Sequence, residues 1–126
     1  MGGGAGLVAC LDHVIAEPNT KIALSEVKLG ILPAVIGPYV YRRLGSANFR
    51  RLSMLAGKID SEEALRVGFI DQLVDSESLL ATASVEVAEE ILTSAPTAVS
   101  RVKDLTARLD NWDGTDEALR LSLIHI

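Results

Sequence analysis

The sequence has one cysteine, two histidines and no excess of positive charge. Because Cys10 has no second cysteine to pair with, an internal disulfide is excluded and a reducing, cytoplasmic location is expected. The histidines lie far apart in the chain, so they lack the spacing of metal ligands and predict no metal site. The formal net charge of −5 disfavours a nucleic-acid partner, since such proteins present a basic face. The Arg42-Arg43 and Arg50-Arg51 pairs are interpreted as solvated helix faces rather than a phosphate site.

The sequence also lacks a long apolar run. None approaches the ~20 residues that a membrane-spanning helix needs, and the start of the chain lacks the pattern of a secretory signal, so no membrane partner is expected. What is present is a hydrophobic fraction of 48% over 126 residues, which predicts a single packed globular domain with a modest core. Cys10 is expected to be a small residue of that core.

A glycine run stands at the start of the chain: Gly2-Gly3-Gly4-Ala5-Gly6, followed by Leu7-Val8-Ala9. It predicts a helix that begins near Gly4 and buries a stripe formed by Leu7, Leu11 and Val14. The first N–H groups of a helix have no intrahelical partner and favour negative charge. The junction is therefore suited to a phosphate, a carboxylate or a developing oxyanion.

Two other interpretations of the glycine run remain open from the residues alone. One is a flexible tail. The other is a dinucleotide-binding turn, because residues 4–9 fit G-x-G-x-x-A and Glu26 follows at about the spacing of the ribose-binding acid. That turn needs a strand before it, and the short strand candidates at 14–16 and 21–24 do not resemble the long return of a dinucleotide fold.

The remaining pattern is mainly helical after a loop at residues 25–33 that contains a turn of helix. Predicted helices end at Gly45, Gly57 and Gly68, and a capping box at Asp60 to Glu63 opens the third of them. A strand is predicted at residues 69–74, followed by helices that begin at Ser76 and Pro96. A turn at residues 113–115 precedes a last predicted helix at 118–123.

Three segments, taken in order, resemble the crotonase superfamily of enoyl-CoA hydratases and isomerases. They are GGGAGLVACLDHVIA, ALSEVKLGILP and AGKIDSEEALRVGFIDQLV. The resemblance is strong from Gly2 to Val74, looser to Leu109, and closest to the methylglutaconyl-CoA hydratase branch, which includes isohexenylglutaconyl-CoA hydratases. It implies an α/β chain with the crotonase spiral fold, in which short strands precede a mainly helical C-terminal part.

The resemblance also implies roles for individual residues. The backbone N–H of Gly3 matches half of the oxyanion hole for the thioester oxygen, and Glu26 matches the acid/base carboxylate. Substrate-binding positions fall at Gly4, Gly6, Leu29 and Pro33. The substrate is an acyl-CoA thioester of fatty acid or leucine degradation, and no cofactor is implied beyond the coenzyme A that the substrate carries.

One departure from the family pattern concerns the reaction. Ordinary enoyl-CoA hydratases have a second glutamate at the position of Gly6. Glu26 is therefore expected to work alone, as in the isomerases of this fold, or with a residue that this chain lacks. The leading hypothesis is a CoA-thioester hydratase acting on 3-methylglutaconyl-CoA or a related branched acyl-CoA. A double-bond isomerase, a non-catalytic crotonase-like subunit and a nucleotide-binding module are the alternatives.

The other departure concerns extent, because the chain resembles only the second half of the family's domain. Residues 1–75 are assigned to the crotonase core and 76–120 to an incomplete helical region that mediates oligomerisation. A homotrimer or hexamer is therefore expected at full length. Residues 121–126 match the translation of a sequencing adapter, so His125 is not expected to be functional.

Overall fold

The computed structural model describes residues 2–112. The chain divides into two compact units, Met1–Ser84 and Val85–Ile126, each considered by itself below. The helices in chain order are α1 (Gly2–Ala9), α2 (Gly37–Leu44), α3 (Ser46–Leu55), α4 (Ser61–Arg66), α5 (Leu80–Leu92) and α6 (Pro96–Leu109). Short 3₁₀ helices cover Glu26–Leu29 and Glu77–Leu79, and the strands are β1 (Ile15–Ala16) and β2 (Gln72–Leu73).

The strands β1 and β2 pair in parallel, with Ile15 opposite Gln72 and Ala16 opposite Leu73. The ladder is extended by the N–H of Val74, which donates to the carbonyl of Ala16. Both strands are shorter than predicted. The strand predicted at 21–24 is wrong, because within this segment the structure shows only a bridge between Ile22 and Ile59.

The core of the first unit lies around Phe69 and Ile70, which are 1% exposed, together with Val40 and Ala64 at 0%. The N–H groups of Phe69 and Ile70 both donate to the carbonyl of Ala64. Phe69 and Ile70 were predicted to be strand. They instead lie in the segment that leads away from the C-terminal end of α4, and their side chains are in the core. Their hydrogen bonds therefore go to a helix end, and the strand is confined to Gln72–Leu73.

Helix α1 differs from its prediction in start and in orientation. It begins at Gly2, so the glycines are part of the helix. Its predicted buried stripe is wrong, because Leu7 is 70% and Leu11 48% exposed. The buried positions are Ala5 and Gly6, whose small size lets α2 pack closely against the helix. Cys10 is also exposed, contrary to expectation.

The predicted helix ends are confirmed in part. The carboxylate of Asp60 accepts a hydrogen bond from the N–H of Glu63 at 2.9 Å and caps α4, as the capping box predicts. Gly45 follows α2 as predicted. The end of α3 is different, because Ala56 adopts the left-handed conformation (φ 51°) that was expected one residue later, at Gly57.

Arg43 is not a solvated residue of α2, as its pair with Arg42 predicted. Its side chain is only 11% exposed and forms an ion pair with Asp71 at 2.5 Å. It also donates to the carbonyls of Phe69 at 2.6 Å and Leu11 at 2.9 Å. Arg43 therefore connects α2 to two separate loops of the first unit.

In the second unit, Pro96 occupies the first turn of α6, as predicted. Residues Val102 and Leu109 of its predicted apolar face are 55% and 40% exposed. The turn at 113–115, the helix at 118–123 and residues 121–126 lie outside the described residues. Among those described, no helix is both long and apolar enough to cross a membrane.

Candidate active site

Glu26 opens the 3₁₀ helix that follows the first strand. The helix is closed by Gly30, which takes the left-handed conformation (φ 75°) and donates its N–H to the carbonyl of Val27 at 3.0 Å. Glycine adopts this conformation without the steric cost that a side chain would add. The carbonyl of Glu26 also accepts from the N–H of Ile31 at 3.3 Å. The backbone of Glu26 is thus held in a tight turn.

One oxygen of the Glu26 side chain is buried without a partner in the part of the chain that the structure describes. The residue as a whole is half-buried, but its Oε2 is covered and has no hydrogen-bond partner within residues 2–112. Buried side-chain oxygens in proteins are nearly always hydrogen-bonded, and a catalytic role is one explanation for an exception. Ser53 Oγ and Trp112 Nε1 are likewise buried without a partner among the described residues. The carboxylate is therefore available to accept a proton or a hydrogen bond from a bound molecule.

Gly3 lies in the first turn of α1, which spans Gly2–Ala9. Its backbone N–H is among the first four of the helix, and those groups have no carbonyl partner within it. The next residue, Gly4, is exposed, and a Cβ added there would have no atom within 4 Å. The start of the helix therefore carries backbone donors without partners inside the helix, which suits an oxyanion.

Gly6 is buried in the same helix, and its surroundings are closed. A Cβ added to Gly6 would lie 2.5 Å from Cγ2 and 2.9 Å from Cβ of Ile36, the residue that precedes α2. Contacts this short do not occur between real carbon atoms, so no side chain fits at Gly6 while Ile36 stays in place. The position where the family pattern has a second glutamate is filled here by an isoleucine from another element.

The remaining predicted substrate-binding residues lie on the segment between the 3₁₀ helix and α2. Leu29 ends that helix and is 77% exposed. Pro33 is half-buried, and its carbonyl accepts a hydrogen bond from the N–H of Gly37 at 2.7 Å. Pro33 is thus fixed to the start of α2, and the side chain of Leu29 is open to contact with another molecule.

An apolar cavity of about 360 Å³ lies beside α1 and the strand β1. Of the predicted site residues, only Gly4 lines it. Its other walls include Ala5, Val8, Val14, Ile22, Phe69 and Ile70. The structure therefore does not bring Glu26, Gly6, Leu29 and Pro33 into this cavity.

The dinucleotide-binding interpretation does not fit the geometry. Gly4 and Gly6 lie inside α1 and do not form a turn before it. Glu26 opens a 3₁₀ helix, whereas the ribose-binding acid of a dinucleotide fold follows a strand. No group of three or more potential metal ligands occurs within residues 2–112.

The one strongly shifted acid of the described chain lies on α4, away from Glu26 in sequence. Hydrogen bonding to Arg66 lowers the pKa of Glu63 to about 2, with Arg51 as a second partner. The Arg51 contact is an ion pair of 3.0 Å and joins α3 to α4. This cluster stabilises the packing of α3 against α4, and none of its three side chains is a predicted site residue.

Ile36 was missed by the sequence reasoning. It lies 30 positions after Gly6, and no local pattern connects an isoleucine before a helix with a glycine inside another. The available signal was the absence of a side chain at Gly6, which leaves room for a neighbour. Only the packing of α1 against α2 identifies that neighbour.

A family model described as enoyl-CoA hydratase/isomerase matches residues 1–121 of the chain. Among curated proteins, the carnitinyl-CoA dehydratase of Citrobacter koseri is 33% identical over 105 residues, covering 82% of this chain and 40% of the relative. The short-chain-enoyl-CoA hydratase of Clostridium acetobutylicum is 35% identical over 109 residues, covering 86% and 41%. The chain thus spans about 40% of the length of these relatives.

Solved structures agree with this match. An enoyl-CoA hydratase/isomerase from Marinobacter aquaeolei superposes with a TM-score of 0.90 at 34% identity. The superposition covers 99% of this chain and 47% of that one. The expected crotonase fold is therefore confirmed over this part of the domain, as short strands with mainly helical packing. The methylglutaconyl-CoA branch stays a prediction.

Proposed function

Because the chain belongs to the enoyl-CoA hydratase/isomerase family, we propose that it carries the proton-transfer carboxylate, Glu26, of an enzyme that hydrates 2-enoyl-CoA thioesters. The observation that supports this most directly is the covered Oε2 of Glu26, which has no partner among the described residues. A carboxylate held in this way is suited to general acid–base catalysis.

The proposed reaction adds water across the Cα=Cβ double bond of the thioester. Glu26 removes a proton from water as the hydroxyl group bonds to Cβ, and the carboxylic acid then returns a proton to Cα. Negative charge develops on the thioester oxygen between these steps. We assign its stabilisation to the backbone N–H of Gly3, and one such donor is typically worth ~3–4 kcal/mol.

Our proposed substrate is 3-methylglutaconyl-CoA or a related branched acyl-CoA. The support is the resemblance of residues 6–9, 25–30 and 33–39 to that branch, together with an apolar isoleucine where the family pattern has a second carboxylate. In this proposal Glu26 is the single acid/base group, and no cofactor is used beyond the coenzyme A of the substrate. Gly4, Leu29 and Pro33 are proposed to contact the substrate, whereas Gly6, which was also expected to do so, is buried against Ile36.

A double-bond isomerase is the second candidate, and the closed position at Gly6 favours it. With one carboxylate, Glu26 would remove a proton from one carbon of the acyl chain and return it to another, with no water consumed. Both candidates share the enolate-like intermediate. The products distinguish them, since only hydration adds the mass of water.

We further propose that catalysis needs a full-length form, meaning this chain together with the upstream residues that complete a family domain. The chain spans about 40% of its relatives, and a second oxyanion donor is expected from the remainder. This form is proposed to be a cytoplasmic homotrimer or hexamer. Closed symmetry of this kind is the usual arrangement of soluble oligomers.

The test is Glu26→Gln in the full-length form, assayed with crotonyl-CoA and 3-methylglutaconyl-CoA. The amide keeps the shape of the side chain and removes its proton-transfer group, so kcat should fall by roughly 10²–10⁴-fold. Glu62→Gln is the matched control, because Glu62 is exposed on α4 and lies outside the proposed site. Full activity of Glu26→Gln on both thioesters would exclude Glu26 from the mechanism.

A further inference from the structure

Gly6 and Ile36 compete for one volume. A Cβ at Gly6 would lie 2.5 Å from Cγ2 of Ile36, whereas the Cα of Ile36 would be 3.8 Å away. The clash therefore comes from the isoleucine side chain, while the backbone of Ile36 would be in ordinary contact. Either residue can carry a side chain, but both cannot do so together.

The position of this contact relates it to the proposed oxyanion donor. Gly3 and Gly6 are three residues apart in α1, so they lie on the same face of the helix, one turn apart. Side chains on a helix lean toward its N-terminus, and a side chain at Gly6 would cover the surface next to Gly3. Ile36 occupies part of that volume instead.

Ile36 is held firmly in this place. It is half-buried against the core, and its carbonyl accepts hydrogen bonds from the N–H groups of Tyr39 and Val40, each at 3.1 Å. Val40 is 0% exposed and anchors α2 in the core. The position of the Ile36 side chain is thus fixed by the packing of α2 in the core. A residue that selects substrates by shape has to be held in this way.

We propose that Ile36 is a specificity-determining residue, which forms an apolar wall beside Gly3 and sets which acyl groups are accepted. The proposal rests on the proposed function, since it requires the thioester oxygen to bind at the N–H of Gly3. An acyl group bound there must pass Ile36, so its fit depends on the size of that side chain. Gly6 is the positioning partner, because its missing side chain allows Ile36 to take this place.

The same contact limits what the substitution Gly6→Glu can do. A glutamate at this position cannot add a second carboxylate to the site while Ile36 is present. It would first have to displace the isoleucine. The combined variant Gly6→Glu/Ile36→Gly is the form in which a second carboxylate has room.

The first experiment measures the coupling between the two residues in the full-length form. Gly6→Ala should lower the thermal midpoint by ~5 °C or more, because the new methyl group has no space. Gly4→Ala is the matched control in the same helix, where a Cβ meets nothing, and should leave the midpoint unchanged or raise it. In the double variant Gly6→Ala/Ile36→Gly, the thermal midpoint lost in Gly6→Ala should be mostly restored. Glycine is tolerated at this position because Ile36 is the N-cap of α2. Equal effects of Gly6→Ala and Gly4→Ala would contradict the proposed competition.

The second experiment measures specificity, which packing alone would not alter. The measured quantity is the ratio of kcat/KM for 3-methylglutaconyl-CoA to kcat/KM for crotonyl-CoA. Ile36→Gly should change this ratio, in either direction, by about 10-fold or more, the range typical of a change in an apolar contact. Ile36→Val removes one methylene-sized group and serves as the variant that folds if Ile36→Gly does not; its ratio should shift in the same direction by a smaller factor. An unchanged ratio in the folded variant would show that Ile36 is only a packing residue.

Glu26→Gln is assayed in parallel to separate this inference from the proposed function. If Glu26→Gln is inactive and the Ile36 variants keep the parent's ratio, only the role of Ile36 is overturned. If Glu26→Gln is active, the proposed function is overturned.

Discussion

Arg43 and Asp71 form an ion pair in which one carboxylate oxygen serves two purposes. Oδ2 of Asp71 accepts a hydrogen bond from the Arg43 guanidinium and a second one, at 2.8 Å, from the backbone N–H of Val14. Val14 directly precedes β1, and Asp71 directly precedes β2. The pair therefore fixes the starts of both paired strands to the helix α2 that carries Arg43.

Replacing Arg43 is expected to destabilise the first unit. Arg43→Met keeps most of the apolar stem but leaves the carbonyls of Leu11 and Phe69 without this donor. We expect the free energy of unfolding to fall by about 2 kcal/mol, because hydrogen bonds made by a charged group are lost at partly covered acceptors. Urea unfolding of the full-length form measures it. Arg42→Met, at the exposed neighbouring position, should change stability by less than ~0.5 kcal/mol; a similar loss in both variants would contradict this role for Arg43.

Glu63 should make stability depend on pH in the acid range. Hydrogen bonding to Arg66 lowers its pKa in the folded protein to about 2, from an ordinary value of 4.5. A lowered folded pKa means that the charged form stabilises the fold, so its contribution is complete above pH 4.5 and is lost as the pH falls toward 2. Urea unfolding should thus show Glu63→Gln to be less stable than the parent at pH 6, with the difference shrinking at pH 3. Glu62→Gln is the control on the same helix, and a Glu63→Gln difference that grows on acidification would contradict the assignment.

Local signals in the sequence predicted the starts of two helices, α4 and α6, correctly. Asp60 and Glu63 are three residues apart, and their capping interaction depends on nothing outside that turn. Pro96 at the start of α6 is similar, because its ring alone favours the first helical turn. The resemblance of three segments to one family predicted the fold over the same region. These features depend on residues that are close in sequence or on a known pattern.

Contacts between distant residues were not predictable in the same way. Arg43 reaches the carbonyls of Leu11 and Phe69, and such acceptors leave no mark on the residue types of the chain. Leu7 was expected to be buried because apolar side chains usually are, yet α1 turns its small residues inward so that α2 can approach. The same close approach creates the contact between Gly6 and Ile36. Position 6 could be identified as unusual from the sequence, but the residue that fills its space could not.

Gly3 should be required for stabilisation of the thioester oxygen. Gly3→Pro removes the backbone N–H in the first turn of α1, where proline is tolerated. In the full-length form kcat should fall by roughly 10²-fold or more, because one oxyanion donor is lost. Gly2→Pro removes the adjacent N–H and is the matched control, expected to retain activity. An active Gly3→Pro enzyme would place the oxyanion elsewhere.

Exposed apolar side chains at and after the 3₁₀ helix Glu26–Leu29 should make the isolated 126-residue chain associate and bind apolar dyes. Leu29, Leu32 and Val35 are 77%, 80% and 84% exposed, and they lie within seven residues of one another. Soluble monomers rarely leave large apolar surfaces uncovered, so we expect Leu32 and Val35 to be buried by further parts of the full-length form or by its symmetry copies, whereas Leu29 is reserved for the proposed substrate contact. The 126-residue chain alone should therefore bind a dye such as ANS and associate at micromolar concentration, without hydrating any enoyl-CoA. Leu32→Ser/Val35→Ser should lower the dye signal of the chain, whereas Arg42→Ser, a change of similar size at an exposed charged position, should not. For the full-length form, light scattering should show a discrete oligomer, and the ANS signal should be low. A chain that stays monomeric, binds no dye and turns over crotonyl-CoA would show that these side chains need no cover, and that the described residues already contain a complete site.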